Sequence, residues 1–185
     1  MMRLFLTALM ICVCGSLPTV RADVESGPAA GSTVKELKVY AVTGEAAGKE
    51  INATEARGEK PTLFLFIPAD KWGRPTARLM RELDGKVKET AEGGAVVAVW
   101  LTSDVDATKE YLPKAQQSLK LENTALTVDA TNPTGPGDWG INTDADVTVV
   151  VTLGGKVTKS FGYSSPNETL AKEVLATLKG EEKKE

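Results

Sequence analysis

Two continuous apolar segments in the first half of the chain predict the centre of a β-sheet. Residues 62–67 (TLFLFI) and 95–101 (AVVAVWL) are apolar at almost every position. Such a run is typical of a strand that is buried on both faces, as in the middle of a parallel sheet. Between the two segments, Leu79, Leu83 and Val87 recur every four residues and predict one face of a helix. Strand, helix and strand together predict a βαβ unit with parallel strands.

Weaker patterns extend this unit on both sides. Four shorter segments predict further strands: 37–42, 125–128, 147–153 and 156–161. Gly154-Gly155 predicts a tight hairpin turn between the last two of them. Helical spacing predicts a helix over 104–121, which Pro113 breaks or kinks. A second helix is predicted after Ser165, which would be its N-cap, with Glu168 closing a capping box.

The remaining interior segments are rich in polar residues and glycine. Residues 44–61 predict a loop or a weak hairpin, and residues 131–138 predict a loop. The whole order therefore predicts an α/β domain whose mixed sheet has central parallel strands and an antiparallel C-terminal hairpin. Helices are expected on both faces of this sheet, because such a three-layer arrangement buries every apolar stripe.

The N-terminus has the pattern of a bacterial-type export signal. Arg3 gives a basic start, residues 4–17 are apolar, and small residues in Val20-Arg21-Ala22 predict cleavage after Ala22. The apolar stretch is short for a membrane span. We therefore predict a secreted or periplasmic protein with no membrane attachment after cleavage. Its parts would be a signal peptide (1–22), a flexible leader (23–34), one folded domain (35–180) and a charged tail (181–185).

Composition narrows the chemistry of the mature chain. The two cysteines, Cys12 and Cys14, lie inside the predicted signal, and the chain has no histidine. Cleavage would leave no thiolate, no disulfide, no imidazole base and no soft metal ligand. It would also move the formal net charge from −3 to about −5, and this mild acidity argues against a nucleic-acid partner. We expect no cofactor and no bound metal.

A motif after the first apolar strand carries a family resemblance. Thioredoxins have Trp-Cys-Gly-Pro-Cys at this place, and the present chain has Trp72-Gly73-Arg74-Pro75-Thr76. With this motif and its element order, the chain resembles the thioredoxin-like superfamily over residues 35–179, especially the redoxin and peroxiredoxin-like branch. The resemblance implies a thioredoxin-like three-layer sandwich. It also places Gly73 and Thr76 at the two cysteine positions.

A second alignment within the same superfamily stays open. Peroxiredoxins carry Phe-Tyr-Pro-x-Asp followed by Cys-Pro-Thr, and this chain has Phe66-Ile67-Pro68-Ala69-Asp70 followed by Arg74-Pro75-Thr76. That alignment places Arg74 at the position of the nucleophile. Thioredoxins also have a cis-proline before the strand that leads into the final hairpin, and here Asp146 or a neighbour takes that position. Neither alignment leaves a thiol in the former active site.

These comparisons define a candidate binding face rather than a catalytic site. Its residues are Trp72, Gly73, Arg74, Pro75, Thr76, Trp139 and Asp146. The two tryptophans either form a binding platform or cover the rim of the core, and we favour the second interpretation because tryptophan is usually well buried. Arg74 either binds an anion beside the helix N-terminus or is a solvated surface residue, and we favour the latter.

The sequence thus predicts an exported, non-catalytic thioredoxin-like domain. It would bind a protein segment or a small ligand, not yet identified, through the former active-site face. One alternative is a redoxin-type thiol oxidoreductase or peroxidase that works with another residue or with a partner's thiol. Another alternative is a purely structural or interaction domain. The oligomeric state is left open by the sequence.

Overall fold

The computed structural model describes residues 24–179, so the predicted signal peptide and charged tail lie outside the described residues. The strands are β1 (Lys38–Ala41), β2 (Lys49–Asn52), β3 (Thr62–Pro68), β4 (Ala95–Leu101), β5 (Thr124–Asp129), β6 (Val147–Leu153) and β7 (Lys156–Tyr163). The α-helices are α1 (Ala53–Arg57), α2 (Arg74–Thr90), α3 (Val105–Leu119) and α4 (Ala171–Leu178). All seven strands form one sheet in the order β2-β1-β5-β4-β3-β6-β7.

The predicted parallel centre of the sheet is confirmed. Strand β3 runs parallel to β4, with Leu65 beside Ala98, and β4 runs parallel to β5. On its other side β3 pairs antiparallel with β6, where Leu65 lies beside Val149. Strands β6 and β7 form the predicted C-terminal hairpin. The apolar run of β3 is therefore buried because the strand has neighbours on both sides and layers above and below.

The two faces of the sheet bury different residues. In β3, Leu63 and Leu65 belong to the core that α2, α3 and α4 cover, whereas Phe64 and Phe66 belong to the core on the opposite face. Trp139 and the short helix α1 contribute to that second core. Helices thus lie on both faces of the mixed sheet, as predicted, with the three longer ones on the same face.

Local structure departs from the sequence predictions at three places. The segment 44–61 contains β2, which confirms the hairpin alternative, and the unpredicted helix α1, which is too short to show a helical stripe. Helix α3 runs through Pro113 without a break. Pro113 is exposed, so water can bond the carbonyl that loses its backbone donor. The end of the predicted loop forms a short 3₁₀ helix, Gly137–Trp139, that extends one residue beyond the loop.

The start of the last helix also differs from the prediction, which was wrong about the cap. The side chain of Asn167, not Ser165, accepts a hydrogen bond from the backbone N–H of Thr169 at 2.9 Å. This contact opens a 3₁₀ turn over 168–170 that leads into α4. Glu168 pairs with Arg78 of α2 at 3.5 Å and does not close a capping box. Asparagine and serine are about equally good N-caps, and Asn167 is the one that stands directly before the first turn.

The segment predicted as a flexible leader is described from Val24 onward and lies along the outer edge of β7. We call residues 24–34 the N-terminal strap. Its backbone N–H groups at Val24, Gly31 and Val34 donate to carbonyls of Gly162, Val157 and Gly155, at 3.2, 2.7 and 3.1 Å respectively. An edge strand presents unpaired backbone groups, and the strap satisfies several of those on β7.

Candidate functional site

The first turn of α2 is built from the motif Trp72 to Thr76. Gly73 is the N-cap residue with an extended backbone, and no side chain caps the helix. Arg74 and Pro75 form the exposed start of the helix, whereas Thr76 is buried. Proline suits this position because the first helical N–H groups have no partner within the helix. The exposed helix start therefore presents the backbone N–H and the guanidinium of Arg74 to solvent.

An aromatic cluster flanks this helix start. The indole N–H of Trp72 donates to the hydroxyl of Tyr111 on α3 at 2.7 Å. The ring of Trp72 meets that of Trp100 edge-on, with centroids 5.0 Å apart, and Trp100 is buried in the core. Tyr111 is 44 % exposed. The cluster thus runs from the sheet interior to the surface and ends in an accessible aromatic side chain.

Tyr111 is a residue that the sequence did not single out as part of the site. It lies four residues before Ala115, so spacing alone predicts that it belongs to the buried apolar stripe of α3. Only the packing shows that Leu112 is buried while Tyr111 turns towards Trp72 and solvent. No motif at this position would have revealed it.

Asp146 lies near Lys71, three residues before the helix start. Lys71, which precedes Trp72, donates from Nζ to the backbone carbonyl of Asp144 at 2.8 Å and lies 3.7 Å from a carboxylate oxygen of Asp146. The backbone N–H of Asp146 donates to the carbonyl of Tyr163 at 2.7 Å. A half-exposed ion pair of this kind stabilises by about 0–1 kcal/mol, so it adds little to the stability of the contact between these two segments.

Trp139 is separated from the other candidate residues. It is 1 % exposed and packs on the opposite face of the sheet, with ring centroids 5.4 Å from Phe64 and 5.1 Å from Phe66. Its indole N–H donates to the carbonyl of Glu36 at 3.1 Å. The structure therefore places Asp146 beside Lys71, which adjoins the segment 72–76, adds Tyr111 beside Trp72, and places Trp139 in the core.

Other features of the described residues lie away from this face. One surface cavity of about 280 Å³ is lined mainly by β1 and β2, and another of about 390 Å³ lies between the C-terminal half of α2 and the start of β5. Within residues 24–179, no group of three acidic, cysteine or histidine side chains is placed to hold a metal ion. In the same range, no helix is long and apolar enough to cross a membrane.

Comparison with known proteins gives structural matches only. No family model matches the sequence, and no curated protein sequence matches it. The structure is similar to a peroxidoxin, BcpB, from Mycobacterium tuberculosis, with a TM-score of 0.60, 17 % identity, and coverage of 83 % of this chain and 97 % of that chain. Reduced Prx3 from Vibrio vulnificus, solved with hydrogen peroxide, matches with a TM-score of 0.56, 16 % identity and coverage of 82 % and 99 %.

A thioredoxin matches equally well along its length. The exposed lipoprotein thioredoxin Etrx1 from Streptococcus pneumoniae has a TM-score of 0.54 and 18 % identity, with 79 % of this chain and 99 % of that chain covered. Thioredoxin-like and peroxiredoxin structures therefore share the architecture described above. At these identities the matches show the fold alone, which is thioredoxin-like, as the sequence predicted.

Proposed function

We propose that this thioredoxin-like chain is an exported domain without thiol catalysis that binds an extended protein segment at the start of α2. The binding face would consist of Trp72, Arg74, Pro75 and Tyr111, bordered by the pair of Lys71 and Asp146. Export rests on the predicted signal peptide at residues 1–22. The proposal narrows the sequence hypothesis, in which a small ligand was equally open, to a protein segment.

The observation that carries this proposal is the accessible end of the Trp72–Tyr111 cluster. Tyrosine and tryptophan are enriched among residues that dominate binding energies, because they bury a large area with few rotatable bonds. Here the hydrogen bond between the two side chains and the contact with Trp100 fix the rings before any partner arrives. Such preorganisation lowers the entropy that binding would cost.

The same face also offers polar groups suited to a peptide backbone. The backbone N–H of Arg74 has no partner within the helix, so it can donate to a carbonyl or carboxylate. The guanidinium of the same residue is exposed beside it. A segment that places an apolar side chain on Tyr111 and a carbonyl or acidic group at the helix start would use both features.

The residues at the helix start support the proposed absence of thiol chemistry. Thiol redox catalysis needs a thiolate that attacks a disulfide or peroxide. Gly73 has no side chain, the guanidinium of Arg74 is not a nucleophile, and the hydroxyl of Thr76 is buried with no histidine in the chain to activate it. The chain expressed from Asp23 should therefore neither reduce insulin disulfides nor consume peroxide with a dithiol donor. Turnover in either assay would favour the redoxin-type alternative.

Binding can be tested with a displayed library of random peptides. We expect the chain expressed from Asp23 to enrich peptides, which are then synthesised and titrated against variants. Tyr111→Ala should weaken these peptides by about 5- to 30-fold, since truncating a central aromatic residue of an interface typically costs about 1–2 kcal/mol. Leu153→Ala is the matched control, because Leu153 is the other large exposed apolar residue of the described chain and lies at the β6–β7 turn.

The outcomes of this titration separate the hypotheses. Weakening by Tyr111→Ala with no change in Leu153→Ala supports the proposed face. Equal affinities for all three proteins would place binding elsewhere and contradict the proposal. If no peptide is enriched above the level found in a selection on the surface without protein, the result would instead favour a purely structural domain.

A further inference from the structure

We infer that the N-terminal strap positions the start of α2, through a continuous path of contacts that begins at Ser26 and ends at Lys71. Residues 140–146, which lead into β6, form the middle of this path and are called here the β6 entry loop. The N-terminus of the exported chain would then control the geometry of the binding face. The effect on binding rests on the proposed function, whereas the path of contacts does not.

Glycines allow the strap to lie unusually close to β7. A Cβ atom at Gly162 would stand 2.3 Å from the carbonyl oxygen of Val24, a distance that no folded chain tolerates. Gly27 has φ +93°, and a Cβ there would lie 2.7 Å from the Cβ of Ser160. The close contact between the strap and β7 therefore requires glycine at both positions. A side chain at either glycine would push the strap away from β7.

Ser26 connects the N-terminal strap to the β6 entry loop. This serine is 6 % exposed, and its hydroxyl shares a hydrogen bond of 2.6 Å with the hydroxyl of Thr148 in β6. The same oxygen accepts the backbone N–H of Asn142 at 2.8 Å. One residue further, the N–H of Gly27 donates to the carbonyl of Gly140 at 3.0 Å. The strap thus holds the β6 entry loop at two residues, Gly140 and Asn142.

The loop in turn holds the start of α2. The side-chain carbonyl of Asn142 accepts the N–H of Asp144 at 2.9 Å, which fixes the backbone at Asp144. The carbonyl of Asp144 then accepts from Lys71 Nζ at 2.8 Å, and Lys71 directly precedes Trp72. This last bond comes from the long, flexible side chain of Lys71 at the surface, so a displaced strap would break it and release the residue next to the aromatic cluster.

The test uses the chain expressed from Asp23 and resolves individual residues by NMR. Ser26→Ala removes the acceptor of the Asn142 N–H. We expect faster hydrogen exchange at Asn142 and Asp144, and a shift of the Trp72 indole N–H resonance, which a Trp72→Phe variant identifies. Ser32→Ala is the matched control, because Ser32 lies in the same strap but its hydroxyl bonds only locally, to the carbonyl of Ala29 at 2.6 Å.

A double-mutant cycle tests the last step of the path. In a Lys71→Met background, Ser26→Ala should no longer move the Trp72 indole resonance, because the link from the loop to the helix start is already broken. If Ser26→Ala moves this resonance equally in both backgrounds, or moves it no more than Ser32→Ala does, the proposed path is wrong. Gly162→Ala gives a second perturbation that leaves every path residue unchanged and should reproduce the effect of Ser26→Ala.

The effect on binding is measured with the peptides selected on the wild-type chain. Ser26→Ala should weaken them by about 2- to 30-fold, the range expected for coupling through packed contacts. An indole shift without any change in peptide affinity would overturn the claimed control of binding. An intact path in a protein that enriches no peptide would support the linkage and contradict the proposed function, so the two failures remain distinguishable.

Discussion

Asp84→Ala removes a buried carboxylate that joins α2 to the beginning of β5. One of its oxygens accepts the backbone N–H of Asn123 at 2.8 Å and the hydroxyl of Thr124 at 2.7 Å. The other accepts the backbone N–H of Glu122 at 3.1 Å. Asp84 is 4 % exposed, so alanine would leave these donors without their acceptor. The change therefore removes the hydrogen bonds that hold α2 against residues 122–124 at the beginning of β5.

The size of the effect depends on how far water can replace the carboxylate. A fully buried donor that loses its acceptor costs about 1–3 kcal/mol, and a hydrogen bond that water replaces costs about 0.5–1.5 kcal/mol. Thr124 is buried, whereas the two backbone N–H groups lie beside the cavity of about 390 Å³ that Asp84 helps to line. We therefore expect Asp84→Ala to lower the free energy of unfolding by about 2–6 kcal/mol.

Denaturant unfolding followed by tryptophan fluorescence measures this change. Asp84→Asn keeps one carbonyl oxygen, so its loss of stability should be smaller than that of Asp84→Ala. Glu89→Ala is the control, since Glu89 is an exposed acid on the same helix and its replacement should change stability by no more than about 0.5 kcal/mol. A loss below about 1 kcal/mol for Asp84→Ala, with unchanged m-value, would refute the reasoning.

Three further predictions concern the core, the helix start and export. Leu65→Ala should cost about 2–5 kcal/mol, because Leu65 is fully buried in the central strand; a loss below about 1 kcal/mol in denaturant unfolding would contradict this. Gly73→Cys with Thr76→Cys should form a disulfide, seen as a loss of free thiols, if the thioredoxin alignment is right; a folded double variant that stays reduced would favour the peroxiredoxin alignment. The exported chain should have the intact mass of a protein that begins at Asp23, whereas a mass that includes Cys12 and Cys14 would contradict cleavage after Ala22.

Strong local patterns were enough to predict the centre of the fold. The apolar runs at 62–67 and 95–101 became β3 and β4, and the repeat of Leu79, Leu83 and Val87 became the buried face of α2. These patterns are reliable because a strand with two buried faces and a helix with one buried face leave different spacings in any sequence. The motif at 72–76 likewise marked the start of α2 correctly, since proline and the preceding glycine favour a helix start.

Tertiary structure alone decided which candidate residues meet. Trp72 and Trp139 look alike in the sequence, yet they lie on opposite faces of the sheet, because the face that a residue joins depends on how distant strands pair and not on its neighbours in the chain. In the sequence, Asp84 looks like any other acidic residue of α2. Its burial is explained only by residues 122–124, which approach it from a distant part of the chain and donate hydrogen bonds to it. The N-terminal strap is held by backbone hydrogen bonds and by close approach at Gly27 and Gly162. Backbone pairing leaves no apolar pattern, so the sequence of residues 24–34 carried no signal for it.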